Sequence, residues 1–139
     1  MRMSENVDQQ MEEYFETMPF LNRIGIEEAT VKDGVAEFRV PYEEGITNHT
    51  VVHGGVMATL VDATVAGAIH SDAEATLDEM EPLTINMDVN YHAPVTEGEI
   101  VARAELVQRG GTIAVGEAEI HNEGELAVSG RATYFQKWE

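Results

Sequence analysis

The sequence predicts an α+β domain in which one long central helix is wrapped by a curved antiparallel sheet, with a short N-terminal helix ahead of both. Three observations lead there. Residues 54 to 70 are apolar on almost every side, as expected of a helix covered by protein rather than lying at a surface. Four strand-like runs follow, separated by turns short enough to join only antiparallel neighbours. A hairpin signal precedes the helix.

In chain order, residues 4 to 18 read as an amphipathic helix. Ser4 can cap it, and Val7, Met11, Tyr14 and Met18 recur at spacings of four, three and four. Pro19 marks its stop. Strands are expected at about 24–32 and 35–41, joined by Asp33-Gly34, a dipeptide suited to a two-residue hairpin turn. In the second, Ala36, Phe38 and Val40 share one face, while Glu37 and Arg39 share the other. A loop over 43–52 then leads into the apolar helix.

After an acidic loop, 71–81, the period becomes two. Leu83, Ile85, Met87, Val89 and Tyr91 alternate with Thr84, Asn86, Asp88 and Asn90. The remaining strands fall near 99–108, 112–121 and 125–136, with Gly110-Gly111 and Asn122-Glu123-Gly124 as turns. No linker or repeat divides the chain. It reads as a single domain over 1–139, with an N-terminal helix to residue 19 and a core from 20. An open antiparallel sheet needs its edge and outer face covered, and oligomerisation can supply that cover.

Charge narrows the function. Twenty-six Asp and Glu oppose eight Lys and Arg, a net −18, which repels nucleic acid and anionic membranes. Only Lys32 and Lys137 are lysines, a composition suited to high salt, where self-repulsion is screened. The absence of cysteine excludes disulfides, thiol catalysis and thiolate metal sites. His49 and His53 stand four apart without a third ligand, so no metal is expected. Glu5, Asp8, Glu12, Glu13 and Glu16 are foreign to a signal peptide, and the run 51–69 is interrupted by Asp62. A soluble cytoplasmic protein is the expectation.

Two features of the apolar helix point to chemistry. It opens at His53-Gly54-Gly55, where helix-start N–H groups lack intrahelical acceptors and glycine admits a close ligand. A carbonyl oxygen or oxyanion can accept such a donor. Asp62 is the one carboxylate between residues 51 and 69, and a carboxylate there needs a structural or a chemical partner. It lies eight residues past Gly54, about 12 Å along a helix, too far for both to act on one bond within a chain. If they do act together, two antiparallel copies must supply them, which predicts a homodimer with two equivalent sites.

The run from His53 through Gly54, Gly55 and Val56 to Asp62 and Ala63 resembles the signature of the hot-dog-fold acyl-CoA thioesterases. The similarity is greatest to their phenylacetate-pathway, PaaI-like subgroup. Leu83 to Tyr91, ending at Pro94, resembles that family's following strand, and the likeness spans roughly residues 20 to 136.

The resemblance implies a hot-dog fold and hydrolysis of acyl-CoA thioesters without a cofactor. It assigns carbonyl polarisation to the Gly54 N–H beside Gly55, and attack or water activation to Asp62 of the partner subunit. His53 would orient the site and Thr84 would position the water. The pantetheine arm would pass Thr84 and Asn86 to reach Tyr91, with Arg109 and Gly110 near the nucleotide phosphates. Where the family has a loop asparagine and a glycine, this chain has Thr47 and Thr50, with Asn48 one place later. The basic residue usual after the strand tyrosine is replaced by His92 and Ala93.

Other readings of the same residues remain open. Asp62 can be a structural acid, His53 a helix-start residue, Thr84 a strand former and Arg109 a solvated turn residue. At the level of function, the alternatives are a non-catalytic acyl-CoA-binding module and a thioester hydratase or dehydratase on the same scaffold. The sequence leaves dimer or tetramer undecided.

Overall fold

A computed structural model describes residues 3–71 and 82–136, with side chains of the first helix from residue 9 onward. The elements are α1 (Met3–Glu16), α2 (Pro19–Ile24), β1 (Glu28–Lys32), β2 (Val35–Pro41), β3 (Thr47–Asn48), β4 (Val51–Val52), α3 (Gly54–Ser71), β5 (Leu83–Tyr91), β6 (Glu99–Arg109), β7 (Ile113–Asn122) and β8 (Glu125–Phe135). Six strands form one antiparallel sheet in the order β1-β2-β6-β7-β8-β5, and β3 and β4 make a separate short ladder. The expected α+β architecture, one long helix against one antiparallel sheet, is what the chain adopts. None of the described helices is long and apolar enough to cross a membrane.

The helix α3 lies directly on the sheet because glycine lets it. A Cβ on Gly116 would stand 2.7 Å from Val65 Cγ1, and one on Gly130 would stand 2.9 Å from Val61 Cγ1. Leu60, Val61, Val65, Ala68 and Ile69 of α3 meet Ala36, Phe38, Val40, Ile100, Ala102 and Ile120 of the sheet, all fully buried. The anticipated inward face of β2 is thus correct. Opposite it, Arg39 pairs with Glu37 at 3.1 Å and Glu99 at 2.7 Å. Two of the hairpin turns, β1–β2 and β7–β8, place two successive residues at positive φ, Asp33-Gly34 and Glu123-Gly124, which matches the right-handed twist of the strands they join.

Four expectations are corrected. Pro19 starts a helix instead of only ending one: it occupies the first turn of α2, where its missing N–H costs nothing. Because α2 then runs to Ile24 and ends on left-handed Gly25, the first strand begins at residue 28, not 24. On α1, Met11 and Phe15 are buried, whereas Tyr14 is 42% exposed, so the inward stripe advances by four from Met11. The loop over 43–52 contains a short 3-10 turn and the β3–β4 ladder. The proposed Ser4 cap, the Val7 contact and most of the acidic loop lie outside the described side chains and residues.

The third expected strand changes most. Strict alternation would put Thr84 on the face opposite Met87. Instead β5 carries a bulge: Thr84 pairs with Tyr134, but Asn86 pairs with Thr133. The extra residue, Ile85, resets the phase, so Thr84 and Met87 both face the helix.

Candidate active site

Local chemistry at the start of α3 separates two adjacent donors. His53 precedes the helix, and its backbone carbonyl accepts from Val56 at 3.0 Å. Its Nδ1 accepts the Gly55 N–H at 2.8 Å, leaving the proton of the neutral ring on Nε2. His53 therefore caps the helix, and the Gly55 N–H is spent within the chain. Gly54 N–H, by contrast, has no acceptor among the described residues. Tyr91 covers this turn: its hydroxyl donates to Gly54 O at 2.7 Å, and a Cβ on Gly54 would sit 3.4 Å from that oxygen. Asn48, Gly54 and Tyr91 line one depression of about 380 Å³ with Met57 and Pro94.

Asp62 sits elsewhere. It lines a cavity of about 570 Å³ walled on one side by α3 (Thr59, Asp62, Ala63, Ala66, His70) and on the other by Tyr14 to Leu21 of α1 and α2. Thr84 and Tyr134 close the cavity at the sheet. Thr84 Oγ1 donates to Asp62 Oδ1 at 2.8 Å. Tyr134 Oη contacts the same carboxylate oxygen and lies 2.7 Å from Asp62 backbone O. Burial, reinforced by the hydrogen bond to Asp62, pushes the Tyr134 phenol far above its ordinary range, so it stays protonated.

At the far end of the cavity His70 donates Nδ1–H to Ala66 O at 2.7 Å. Burial pushes its pKa down, with the Arg109 charge adding to that, so the imidazole is neutral.

The structure thus gathers the expected residues into two groups instead of one. Gly54, Asn48 and Tyr91 share the first depression; Asp62 and Thr84 share the second. Neither of these two cavities holds both Gly54 and Asp62, in keeping with the helical spacing between them. Asn86 is not brought to either group: the bulge that turns Thr84 inward leaves it exposed on the outer face of the sheet. Arg109 and Gly110 lie at the opposite end of α3 from Gly54. There Arg109 donates to Gln136 Oε1 at 2.6 Å and to Ile69 O, a carbonyl at the negative end of the helix. It is neither a solvated turn residue nor, within one chain, near Gly54.

Tyr134 escaped the sequence reading, and Tyr14 and Met18, read there as the apolar stripe of the first helix, build a wall of this cavity with Phe15 and Phe20. One signal was available for Tyr134: it shares the inward phase of β8 with Ala132, and a buried tyrosine needs a partner for its hydroxyl.

A single long helix laid along a curved antiparallel sheet, with a lone carboxylate on the helix and a glycine amide at its start, defines a hot-dog fold. The family model of the Thioesterase superfamily matches residues 49–129, and the chain belongs to that family. A putative esterase of Halobacterium salinarum is 30% identical over 84% of this chain and 79% of its own length. The medium/long-chain acyl-CoA thioesterase YigI of Salmonella typhimurium is 28% identical over 84% of each. Among solved structures, a phenylacetic acid degradation protein, PaaI, from Thermus thermophilus superposes with a TM-score of 0.74 over 85% of this chain and 98% of its own. At 21% identity that likeness speaks to fold alone.

Proposed function

We propose that this chain is an acyl-CoA thioesterase of the PaaI-like type. It hydrolyses an aryl- or alkanoyl-CoA ester to free acid and CoA, as a homodimer in the cytoplasm. One observation carries the reading: a half-buried carboxylate, Asp62, held by two hydroxyls at the wall of a largely apolar cavity that can take an acyl group. A cavity of about 570 Å³ is within the size of ordinary small-ligand sites. Its wall of Tyr14, Phe15, Met18 and Phe20 suits an aromatic or extended alkyl chain. The likeness to YigI supports an acyl-CoA ester as the substrate class.

In the proposed dimer the thioester carbonyl oxygen rests on the Gly54 N–H of one subunit, at the positive end of α3. Asp62 of the other subunit takes a proton from water as that water attacks the carbonyl carbon, or attacks the carbon itself to give an anhydride that water then opens. The negative charge of the tetrahedral intermediate falls on the oxygen held by Gly54. Its collapse breaks the C–S bond, and CoA leaves as thiolate and recovers the proton. The reaction needs no metal or organic cofactor. We further infer a salt-adapted protein, because −18 on 139 residues with two lysines is best tolerated when salt screens it.

Thiol release from a panel of aryl- and alkanoyl-CoA esters in high salt tests the reading. Asp62→Ala should lose at least about a hundredfold in kcat while folding and dimerisation persist. Equal rates would remove Asp62 from the mechanism. Saturable ester binding without release from any substrate would make the protein a binding module.

A further inference from the structure

The two oxygens of the Asp62 carboxylate are treated differently. Oδ1 accepts from Thr84 Oγ1 at 2.8 Å and is also in contact with Tyr134 Oη, whereas Oδ2 has no hydrogen-bond partner among the described residues. We propose that Tyr134 is a positioning residue for Asp62, which with Thr84 occupies Oδ1, fixes the carboxylate plane and leaves Oδ2 as the oxygen that meets the water or the thioester carbon. The inference rests on the thioesterase reading and deepens it.

Lone-pair accounting carries the argument. A carboxylate oxygen offers two good acceptor directions; on Oδ1 Thr84 takes one, and Tyr134, whose proton is shared with the Asp62 backbone carbonyl, stands at the other. That oxygen cannot also take a proton from water, so the reacting role passes to Oδ2. The arrangement is built from the backbone up. Thr84 and Tyr134 are directly opposed in the β5–β8 register, and the bulge that follows Thr84 keeps it on the helix face.

The phenol is fixed relative to the helix as well, because its oxygen lies 2.7 Å from the Asp62 backbone carbonyl. Its one proton is directed between two oxygens of the same residue, so side chain and main chain of Asp62 are held together. Only 4% of Tyr134 is exposed, and burial keeps its proton on at any working pH. Tyr134 is therefore a permanent donor. The other titratable groups lining this cavity are Tyr14 of α1 and His70 of α3, and no lysine or arginine lines it among the described residues.

The test compares full-length wild type with Tyr134→Phe, Thr84→Val and the double variant. Tyr134→Phe should lower kcat about tenfold to a hundredfold with KM changed less than about twofold, since the acyl cavity is intact and only the aim of the carboxylate is lost. Thr84→Ser, which keeps the hydroxyl, should retain most of the activity that Thr84→Val loses. The double variant should lose less than the product of the two single losses, because both residues act through one carboxylate.

Should Tyr134→Phe fail to fold, 4-fluorophenylalanine at position 134 fills the place of the hydroxyl without donating, and kcat should again fall with KM changed less than about twofold. A folded Tyr134→Phe dimer with wild-type kcat overturns the proposal, as does wild-type kcat with the fluorinated residue. Asp62→Asn separates the two readings. If it is inactive while Tyr134→Phe behaves as wild type, only the role of Tyr134 falls. If Asp62→Asn turns over normally, the thioesterase mechanism falls first.

Discussion

The two edges of the sheet are finished in opposite ways. At the β1 edge, α1 lays its carboxylates over the strand: Glu12 Oε2 accepts the Val31 N–H at 3.0 Å and Glu16 Oε2 accepts the Ala29 N–H at 3.2 Å. These are backbone donors that an edge strand would otherwise present to any passing strand. At the β5 edge nothing comparable is found among the described residues, and Leu83, Ile85 and Tyr91 are 62%, 55% and 57% exposed. The closed edge carries no candidate site residue. The open one carries Thr84 and Tyr91, one from each half-site. An edge left open where the half-sites lie is what a second copy of the chain would complete.

The sharpest way to break this comparison is to divide the two half-sites between chains. Gly54→Pro removes the one unclaimed amide at a position where proline suits a helix, and Asp62→Ala removes the carboxylate. Each variant alone should lose at least about a hundredfold in kcat. Unfolded and refolded together in equal amounts, they should recover about a quarter of wild-type activity, because half of the dimers then hold one complete site of two. Recovery of nothing, with mixed dimers present by mass spectrometry, would return both residues to one chain.

A charge pair on the open edge, Leu83→Glu with Ile85→Glu, should yield a monomer by light scattering and abolish turnover, even though Asp62, Thr84 and Tyr134 stay in place. On the closed edge the consequence is different in kind. Glu12→Ala with Glu16→Ala should cost about 1–2 kcal/mol in denaturant unfolding, the scale of lost hydrogen bonds to a charged acceptor that is partly exposed. Turnover per folded molecule should not change.

Much of this was legible in the sequence, and the failures at the site share one cause. The apolar run 54–70, the Asp33-Gly34 turn and the inward face of β2 are local patterns, and the chain obeys them. Asp62 was conspicuous because a carboxylate in an apolar helix is costly. What could not be read was set by pairing partners far along the chain. The bulge at Ile85, which decides that Thr84 faces inward and Asn86 outward, is a property of β5 against β8 and leaves no mark on the alternation itself. Tyr134 is 72 residues from Asp62, and only that register brings them together. Arg109 looked like a turn residue because the carbonyl it satisfies is 40 residues earlier, at the end of α3.

The smallest effect concerns His70, at the end of α3 away from Gly54. Burial holds the imidazole neutral, so its pKa in the folded chain lies below the ordinary 6.5. Between the two values the unfolded chain binds the proton and the folded chain does not, so unfolding is favoured as pH falls. This contribution to stability is complete above about pH 6.5 and is lost as pH falls through the folded value, with a slope of at most about 1.4 kcal/mol per pH unit. The carboxylates of so acidic a chain act in the other direction, since protonation relieves their repulsion. The comparison must therefore be a difference. His70→Gln, which cannot titrate, should lose less stability than wild type between pH 7 and pH 5 when both are unfolded by urea in the same salt. Parallel curves would mean that the buried imidazole accepts its proton without leaving the fold, and that the cavity wall beside Phe15 is looser than its packing indicates.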